Sequence, residues 1–482
     1  MRRRDLLSTL LAPSLLASPR VRNVLLIAID DMRPELGCYG ARHVHSPNID
    51  ALARRGTVFT HAYCQQAVCS PSRTSLLTGL RPDTTKIYDL QHHFRGTVPD
   101  AVTLPQLFKQ NGFTAAGFGK LFHGGLDDNP SWSIPWWGPN QQAAWNSPEA
   151  RTRAQRLEQR LKENNWTIPP TSSPAGSRGP SWEASSQSDD QLPDGRTLNQ
   201  AIAALPTLKQ NPFFLGVGFA KPHLPFIAPS QYFDLYPLNK IEMPDYPEPP
   251  SGAPPFAGTN SGELRYYGDI GNGKISSEKA RELVRAYYAC ISYTDALIGR
   301  LLTALDREGL RDSTMVVLFG DHGWQLNNHG LWNKHTNYEK ATRSLLIASL
   351  PGQRSPGKPC HSLVEFIDIY PSMASAAGLT PPAACQGASF LPQLDNPKSP
   401  GKPAAFSQYP RTHEGQRLMG YSLRDARFRY TEWRKRGSTD VVARELYDYQ
   451  SDPNESRNHA ADPAHLDRIK KMSAAISQIA AL

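Results

Sequence analysis

No apolar run in the chain reaches the ~18 residues that a membrane-crossing helix requires, so a bilayer span is excluded. Cysteine is scarce, six in 482 residues, which excludes a disulfide-built scaffold. No segment repeats at a fixed period, so solenoids and propellers are excluded as well. Acidic residues are outnumbered, 44 against 53 basic ones, for a net charge of +9. The basic residues form no stripe interleaved with aromatics, and nucleic acid is therefore not the expected partner. The excess favours an anionic partner of another kind. What is present is 39% hydrophobic residues and 20% charged ones. That suffices for a sizeable core and rules out wholesale disorder. Proline is abundant, 42 residues, and predicts long irregular loops. The length suits one large α/β domain with a small appendage.

Met1 to Ser18 joins a charged start, Arg2-Arg3-Arg4, to the leucine pairs Leu6-Leu7, Leu10-Leu11 and Leu15-Leu16, with Ala17 and Ser18 behind them. This reads as an export signal over residues 1–20, with a frayed basic terminus as the alternative. The arginine run resembles a twin-arginine leader, which implies a folded chain exported to the periplasm or the exterior. Removal of the first 18 residues would take Arg2, Arg3, Arg4 and Asp5 and leave a charge of +7.

Asn23 to Ile29 is a continuous apolar run and reads as a strand buried on both faces. Thr114 to Gly119, Pro212 to Gly218, Thr314 to Phe319 and Ser344 to Leu350 read as further strands. Helices are expected after Ser46-Pro47, over Pro71 to Thr78 with Gly79 closing, from Thr103-Leu104-Pro105 to near Gly112, over Glu278 to Leu310, and over Phe366 to Ala377. Buried strands alternating with helices predict a large, mainly parallel mixed sheet sandwiched by helices. After about residue 400 the texture changes. Leu418 to Ser422, Phe428 to Trp433 and Glu445 to Tyr449 read as half-polar strands, followed by a helix from about Pro463. The expected division is therefore a catalytic domain over 21–400 and a small α+β subdomain over 401–482. Pro169 to Arg196 and Pro247 to Ser277 suit no element, and loops of that length are usually functional or disordered.

Two strand ends carry chemistry. Asp30-Asp31 follows the first strand, and Asp321-His322-Gly323 follows Thr314 to Phe319. Ligands in open α/β sheets bind at the carboxyl ends of strands. Adjacent carboxylates repel unless a cation is present, and hard cations want such oxygens. A charged strand exit or a simple Asp–His hydrogen bond is the plainer reading of each pair alone; two such pairs favour a metal. Cys69-Ser70-Pro71-Ser72-Arg73 lies at a helix start, where the helix terminus and Arg73 would stabilise a thiolate. Cys69 is thus a candidate nucleophile, with a structural thiol as the alternative.

Cys69 to Gly79 matches the sulfatase signature C-x-P-S-R-x-x-x-L-T-G at every fixed position. The blocks DDMRPELGCYG from Asp30, GKLFH from Gly119, KPHLPF from Lys221, DHGW from Asp321, HGLWNKHTNYE from His329, MGYSLRDARFRYTEW from Met419 and ELYDYQSDP from Glu445 resemble the iduronate-2-sulfatase branch. The resemblance spans nearly everything after residue 22. It departs at Asn327, where relatives usually carry glycine. It implies an alkaline phosphatase-like fold and a divalent cation held by Asp30, Asp31, Asp321, His322 and the side chain at 69, with calcium favoured over magnesium. It also implies that a maturation enzyme oxidises Cys69 to formylglycine. One hydroxyl of the hydrated aldehyde then attacks sulfur, and loss of a proton from the other releases sulfate by C–O cleavage. In that scheme Arg73 holds the hydrated aldehyde, and Lys120 and Lys334 hold sulfate oxygens. His123 accepts the second hydroxyl's proton, and His223 protonates the leaving oxygen. Trp324 is expected on the substrate rim, with His329, Asn333 and His335 behind the site.

The remaining cysteines, Cys38, Cys64, Cys290, Cys360 and Cys385, show no metal spacing, and Cys360 with Cys385 could pair. The substrate implied is a sulfated sugar, a 2-O-sulfated uronate at the end of a glycosaminoglycan-like chain, bound in a deep pocket walled by the two proline-rich stretches. A phosphonate or phosphodiester hydrolase on the same scaffold is the alternative, and a polyanion-binding protein with a dead site is a third. The intact Cys69, Arg73 and metal positions argue against the last.

Overall fold

In the computed structural model the described residues are 21–139, 179–243, 246–271 and 273–480, with Thr152 and Gln159. The export signal expected over residues 1–20 lies outside them. The strands, in chain order, are β1 (Asn23–Ile29), β2 (Thr57–Tyr63), β3 (Thr114–Gly119), β4 (Trp182–Ser185), β5 (Phe213–Phe219), β6 (Phe226–Pro229), β7 (Thr314–Gly320), β8 (Arg343–Ser344), β9 (Leu346–Ser349), β10 (Cys360–Glu365), β11 (Ala405–His413), β12 (Gln416–Arg424), β13 (Phe428–Lys435) and β14 (Val441–Asp448).

Every residue of β1 is buried, because the strand is central and both of its faces are covered. Successive side chains point to opposite faces of a sheet. Leu25, Ile27 and Ile29 accordingly enter one core, while Val24, Leu26 and Ala28 enter the other. The long helix Ser277–Arg307 supplies Leu283, Val284, Tyr287 and Ile291 to the first core. The helices Cys69–Thr78 and Ile369–Ala376 supply Leu76, Leu77, Ile369 and Met373 to the second. The sheet runs β10-β2-β9-β7-β1-β5-β3, with β8 paired to β2. The pairs β1–β5, β1–β7, β3–β5 and β10–β2 are parallel, and β7–β9, β2–β9 and β2–β8 are antiparallel. This is the expected α/β architecture, a mainly parallel mixed sheet between helices. The segment around Ser344 to Leu350 is split in two and runs against its neighbours.

A second sheet, β11-β12-β13-β14, is an antiparallel meander. The helix Leu466–Ala480 packs Ile469, Met472 and Ile476 against Phe406, Leu423, Phe428 and Leu446 of that sheet. Its first strand, β11, is absent from the sequence reading, and β14 starts four residues before the expected Glu445. Pro169 to Arg196 is not the element-free stretch expected. Its described part holds β4, paired in parallel with β6, and the start of the helix Pro193–Leu208. Four residues with alternating burial are too short for periodicity to register. No helix among the described residues is long and apolar enough to cross a membrane.

Candidate active site

The register of β1 on β7 pairs Ile29 with Gly320, so the residues that follow, Asp30 and Asp321, emerge side by side. The Asp321 N–H donates to the Ile29 carbonyl at 3.0 Å, and the Asp31 N–H donates to Asp321 Oδ1 at 3.1 Å. Asp31 has a left-handed backbone, φ 58°. In an extended chain the two aspartates would point to opposite faces; the left-handed turn brings both carboxylates to one site.

Cys69 opens its helix, and its Sγ lies 3.3 Å from Asp30 Oδ1 and 3.4 Å from His322 Nε2. His322 Nε2 is 3.4 Å from Asp31 Oδ1 and 3.5 Å from Asp321 Oδ1. Its Nδ1 lies 3.0 Å from the Gly323 carbonyl, which orients Nε2 toward the carboxylates. Single ligand atoms of Asp30, Cys69, Asp321 and His322 all fall within 4.8 Å of one another, and so do those of Asp30, Asp31, Cys69 and His223. These residues fit a hard divalent cation. With bonds of ~2.4 Å, neighbouring ligands of such an ion sit ~3.4 Å apart, the spacing found between the His322 nitrogen and the two carboxylate oxygens.

Cations frame the acids. Arg73, buried, donates from Nε to Asp321 Oδ2 at 2.8 Å and from Nη2 to Asp30 Oδ1 at 3.3 Å. Its Nη1 donates to the Lys120 and Leu121 carbonyls. Lys120 Nζ contacts Asp30 Oδ2 and lies 4.0 Å from Cys69 Sγ. It follows Gly119, whose positive φ of 72° and 2.1 Å clearance from a Cβ to the Gly218 carbonyl leave no room for a side chain. Lys334 Nζ lies 3.1 and 3.0 Å from the Asp31 oxygens. His223 Nε2 is 3.8 Å from Asp31 Oδ2, and its Nδ1 lies 2.6 Å from the Leu224 carbonyl.

These contacts set the protonation states. Burial opposes charge on Asp30, but Lys120, His223 and Arg73 hold its carboxyl well below the usual range. Lys334 is likewise held protonated against its burial, by Asp31 and Glu263. Burial and the Lys120 charge push His123 down to about 3, so this imidazole is neutral. Its Nδ1 is buried without a hydrogen-bond partner among the described residues.

Several expectations need correction. Burial and the Asp30 charge push the Cys69 thiol well above its ordinary value, so the unmodified side chain is a thiol and not the stabilised thiolate expected from its helix position. Trp324 is not on a rim: it is fully buried in the first core, edge-on to Phe226 at 6.3 Å and beneath Lys334 Nζ at 5.0 Å. Its neighbour His322 faces the carboxylates while the indole turns inward. Cys360 and Cys385 are unpaired, as are the other four cysteines. Cys360 begins a strand beside Phe59, whereas Cys385 packs near Gly79. Asn327 takes the left-handed conformation, φ 70°, which asparagine tolerates better than most residues; the departure from glycine is accommodated.

Glu263 escaped the sequence reading. It sits on the one-turn helix Gly262–Arg265, within the proline-rich stretch, and reaches Lys334 at 2.9 Å, His223 Nε2 at 3.0 Å and His335 Nε2 at 3.5 Å. Despite burial, Lys334 and His223 hold its carboxyl well below the usual range. His335 also meets the Tyr409 hydroxyl at 2.6 Å. His329 instead lies by Glu455, 3.7 Å away.

Fold and site together define a hydrolase of the alkaline phosphatase-like type. The chain belongs to the sulfatase family, whose model matches residues 22–379. It is a sulfuric ester hydrolase and resembles the iduronate-2-sulfatase branch. It is 35% identical to human iduronate 2-sulfatase over 514 aligned positions, covering 90% of each chain. A second family model, the C-terminal part of N-sulphoglucosamine sulphohydrolase, matches residues 327–481. Among solved structures, a 2-O GAG sulfatase superposes with a TM-score of 0.71 at 22% identity, covering 96% of this chain and 92% of that one. A phosphonate monoester hydrolase from Silicibacter pomeroyi gives the same score and identity, over 95% and 94%. At that identity these likenesses establish the fold and do not separate the two chemistries.

Proposed function

We propose that the enzyme removes sulfate from a 2-O-sulfated uronate at the end of a glycosaminoglycan-like chain. The observation that carries this reading is the convergence of Asp30, Asp31, Asp321 and His322 on the side chain of residue 69, with lysines and histidines around it. The name of the human relative and its coverage of both chains support the choice of sugar. Calcium is the proposed ion, held by Asp30, Asp31, Asp321, His322 and residue 69; when bound it supplies positive charge to sulfate oxygens. Cys69, converted to formylglycine by a maturation enzyme, supplies the attacking oxygen.

The other residues act from where they stand. Arg73 spans Asp30 and Asp321 and fixes both carboxylates in place. Lys120, on Asp30, and Lys334, on Asp31 and Glu263, direct ammonium groups at the site and neutralise charge on the sulfate oxygens. His123, neutral, accepts the proton whose loss frees sulfate. His223, hydrogen-bonded to Glu263, donates one to the departing sugar oxygen. Glu263 places part of the loop 247–277 in the wall of the site, where an end-trimming enzyme needs a closed pocket. Residues 21–400 form the catalytic unit in this reading, and 401–482 a supporting subdomain. The leader-like residues 1–20 support action outside the cytoplasm. Matured enzyme assayed with defined sulfated disaccharides, an aryl sulfate and a phosphodiester tests the proposal. Release of sulfate from 2-O-sulfated uronate is expected; cleavage of 6-O-sulfated hexosamine instead overturns the sugar, and preference for the phosphodiester overturns the reaction.

A further inference from the structure

His459, Asp462 and His465 lie between β14 and the helix Leu466–Ala480, on residues that take no part in the chemistry above. The backbone there winds in successive three-residue turns. The Asp462 N–H donates to the His459 carbonyl at 3.0 Å, and the His465 N–H donates to the Asp462 carbonyl at 3.0 Å. Winding of this kind eclipses side chains three residues apart, so the three share one side of the segment. One ligand atom from each lies within 4.8 Å of the others. The imidazoles meet edge to face, 5.8 Å between centroids at 71°. The segment is anchored at both ends: the His459 N–H donates to the Leu446 carbonyl at 2.8 Å, and the His465 ring packs on Phe428 at 5.7 Å. Asp462 Oδ1 accepts the Ala464 N–H at 2.9 Å, and its second oxygen retains acceptor capacity.

We propose that His459, Asp462 and His465 form a second metal site, for a divalent transition ion such as zinc, that clips the C-terminal helix to the four-stranded sheet. The donor set is the argument. Three carboxylates with one imidazole, as at the active site, suit a hard ion; two imidazoles with one carboxylate suit zinc, cobalt or nickel. The histidines are half-buried and Asp462 is exposed, which leaves solvent to complete the coordination. Ligands of a tetrahedral zinc ion sit ~3.4 Å apart, a contraction that rotation of partly exposed rings can supply.

The test uses the full chain at pH 7.5 in excess calcium, which keeps the carboxylate site filled. Zinc is titrated calorimetrically, and cobalt(II) is followed by its visible absorption. The wild type is expected to take up one zinc per chain, to show the cobalt band and to melt a few degrees higher with zinc. His459→Ala/His465→Ala should lose all three responses with its sulfatase turnover unchanged. Asp462→Asn keeps a capping side chain and should bind zinc ~10-fold more weakly or worse. No zinc uptake by the wild type, equal uptake by the double variant, or unchanged affinity in Asp462→Asn each overturns the site.

Discussion

Glu339 and Glu455, at the seam between the two sheets, are buried acids like Asp30 and Asp321, yet the two groups are organised differently. At the seam each carboxylate oxygen faces a donor atom of its own. Arg429 donates to Glu339 Oε2 at 2.6 Å and lies 3.2 Å from Glu455 Oε1. The Tyr63 hydroxyl donates to Glu339 Oε1 at 3.0 Å, and the Glu339 N–H donates to Glu455 Oε2 at 2.9 Å. Arg424 and Arg429 hold the Glu339 carboxyl far below its ordinary range despite burial. At the active site, by contrast, oxygens of Asp31 and Asp321 share one imidazole nitrogen as neighbour, and Asp30 faces Cys69. Burial and a shifted pKa are common to both clusters; convergence on one point belongs only to the site. Structural ion networks also perturb pKa values, so geometry has to make the distinction.

The comparison can be broken most severely at residue 69. Cys69→Ala should lower turnover by ~10⁴-fold or more while the thermal midpoint moves by only a few degrees; retained turnover would sink the proposed mechanism. Next come the carboxylates. Chelation should cost ~10²-fold or more in rate, reversed by calcium in the wild type but not in Asp321→Asn. Equal recovery in both would remove Asp321 from the metal set. The seam should behave in the opposite way. Arg429→Met leaves Glu339 and Glu455 without their main counter-ion and should destabilise the fold by about 3 kcal/mol, read by denaturant unfolding, with kcat of the folded enzyme retained. Loss of kcat at full stability would erase the distinction between the clusters.

The smallest effect is expected at Glu35, which meets Arg33 at 2.8 Å, the Tyr288 hydroxyl at 2.9 Å and His43 at 3.1 Å. Burial notwithstanding, Arg33 and these hydrogen bonds bring its pKa down to about 2. A carboxyl depressed in the fold stabilises above its unfolded pKa, ~4.3, and loses that contribution as pH falls toward 2. Glu35→Gln should therefore lower the melting temperature at pH 7, and the gap from wild type should narrow by pH 3. A gap independent of pH would assign the loss to packing.

Much of this was legible beforehand, and the reason lies in locality. β1 and β7 are contiguous apolar runs that end in paired ligand types, and the helix carrying Cys69 has Pro71 in its first turn and Gly79 behind its last. β2 and β11 were missed because TVFTHAY and AFSQYPRTH mix polar residues and, in β11, a proline into their runs. Glu263 was missed because a one-turn helix has no period, and its partner Lys334 lies 71 residues away. Trp324 was misplaced because adjacency to a site residue does not say which way a side chain turns.

Cys69 is 1% exposed, and the loop before it is clasped by β11, which is synthesised far later in the chain. The Ser407 hydroxyl donates to the Cys64 carbonyl at 2.6 Å, across 343 residues of chain, and the Gln408 N–H donates to the Gln65 carbonyl at 2.8 Å. A substrate's sulfate is small enough to enter such a cleft; the active site of another enzyme is not. Whatever alters residue 69 must therefore reach it before Ser407 arrives. At ribosomal rates of ~5–20 residues per second, that interval is about 20–70 s. If residue 69 is converted as proposed, the activity of each molecule is settled by a race, run once, between modification of the nascent chain and closure of the fold over it.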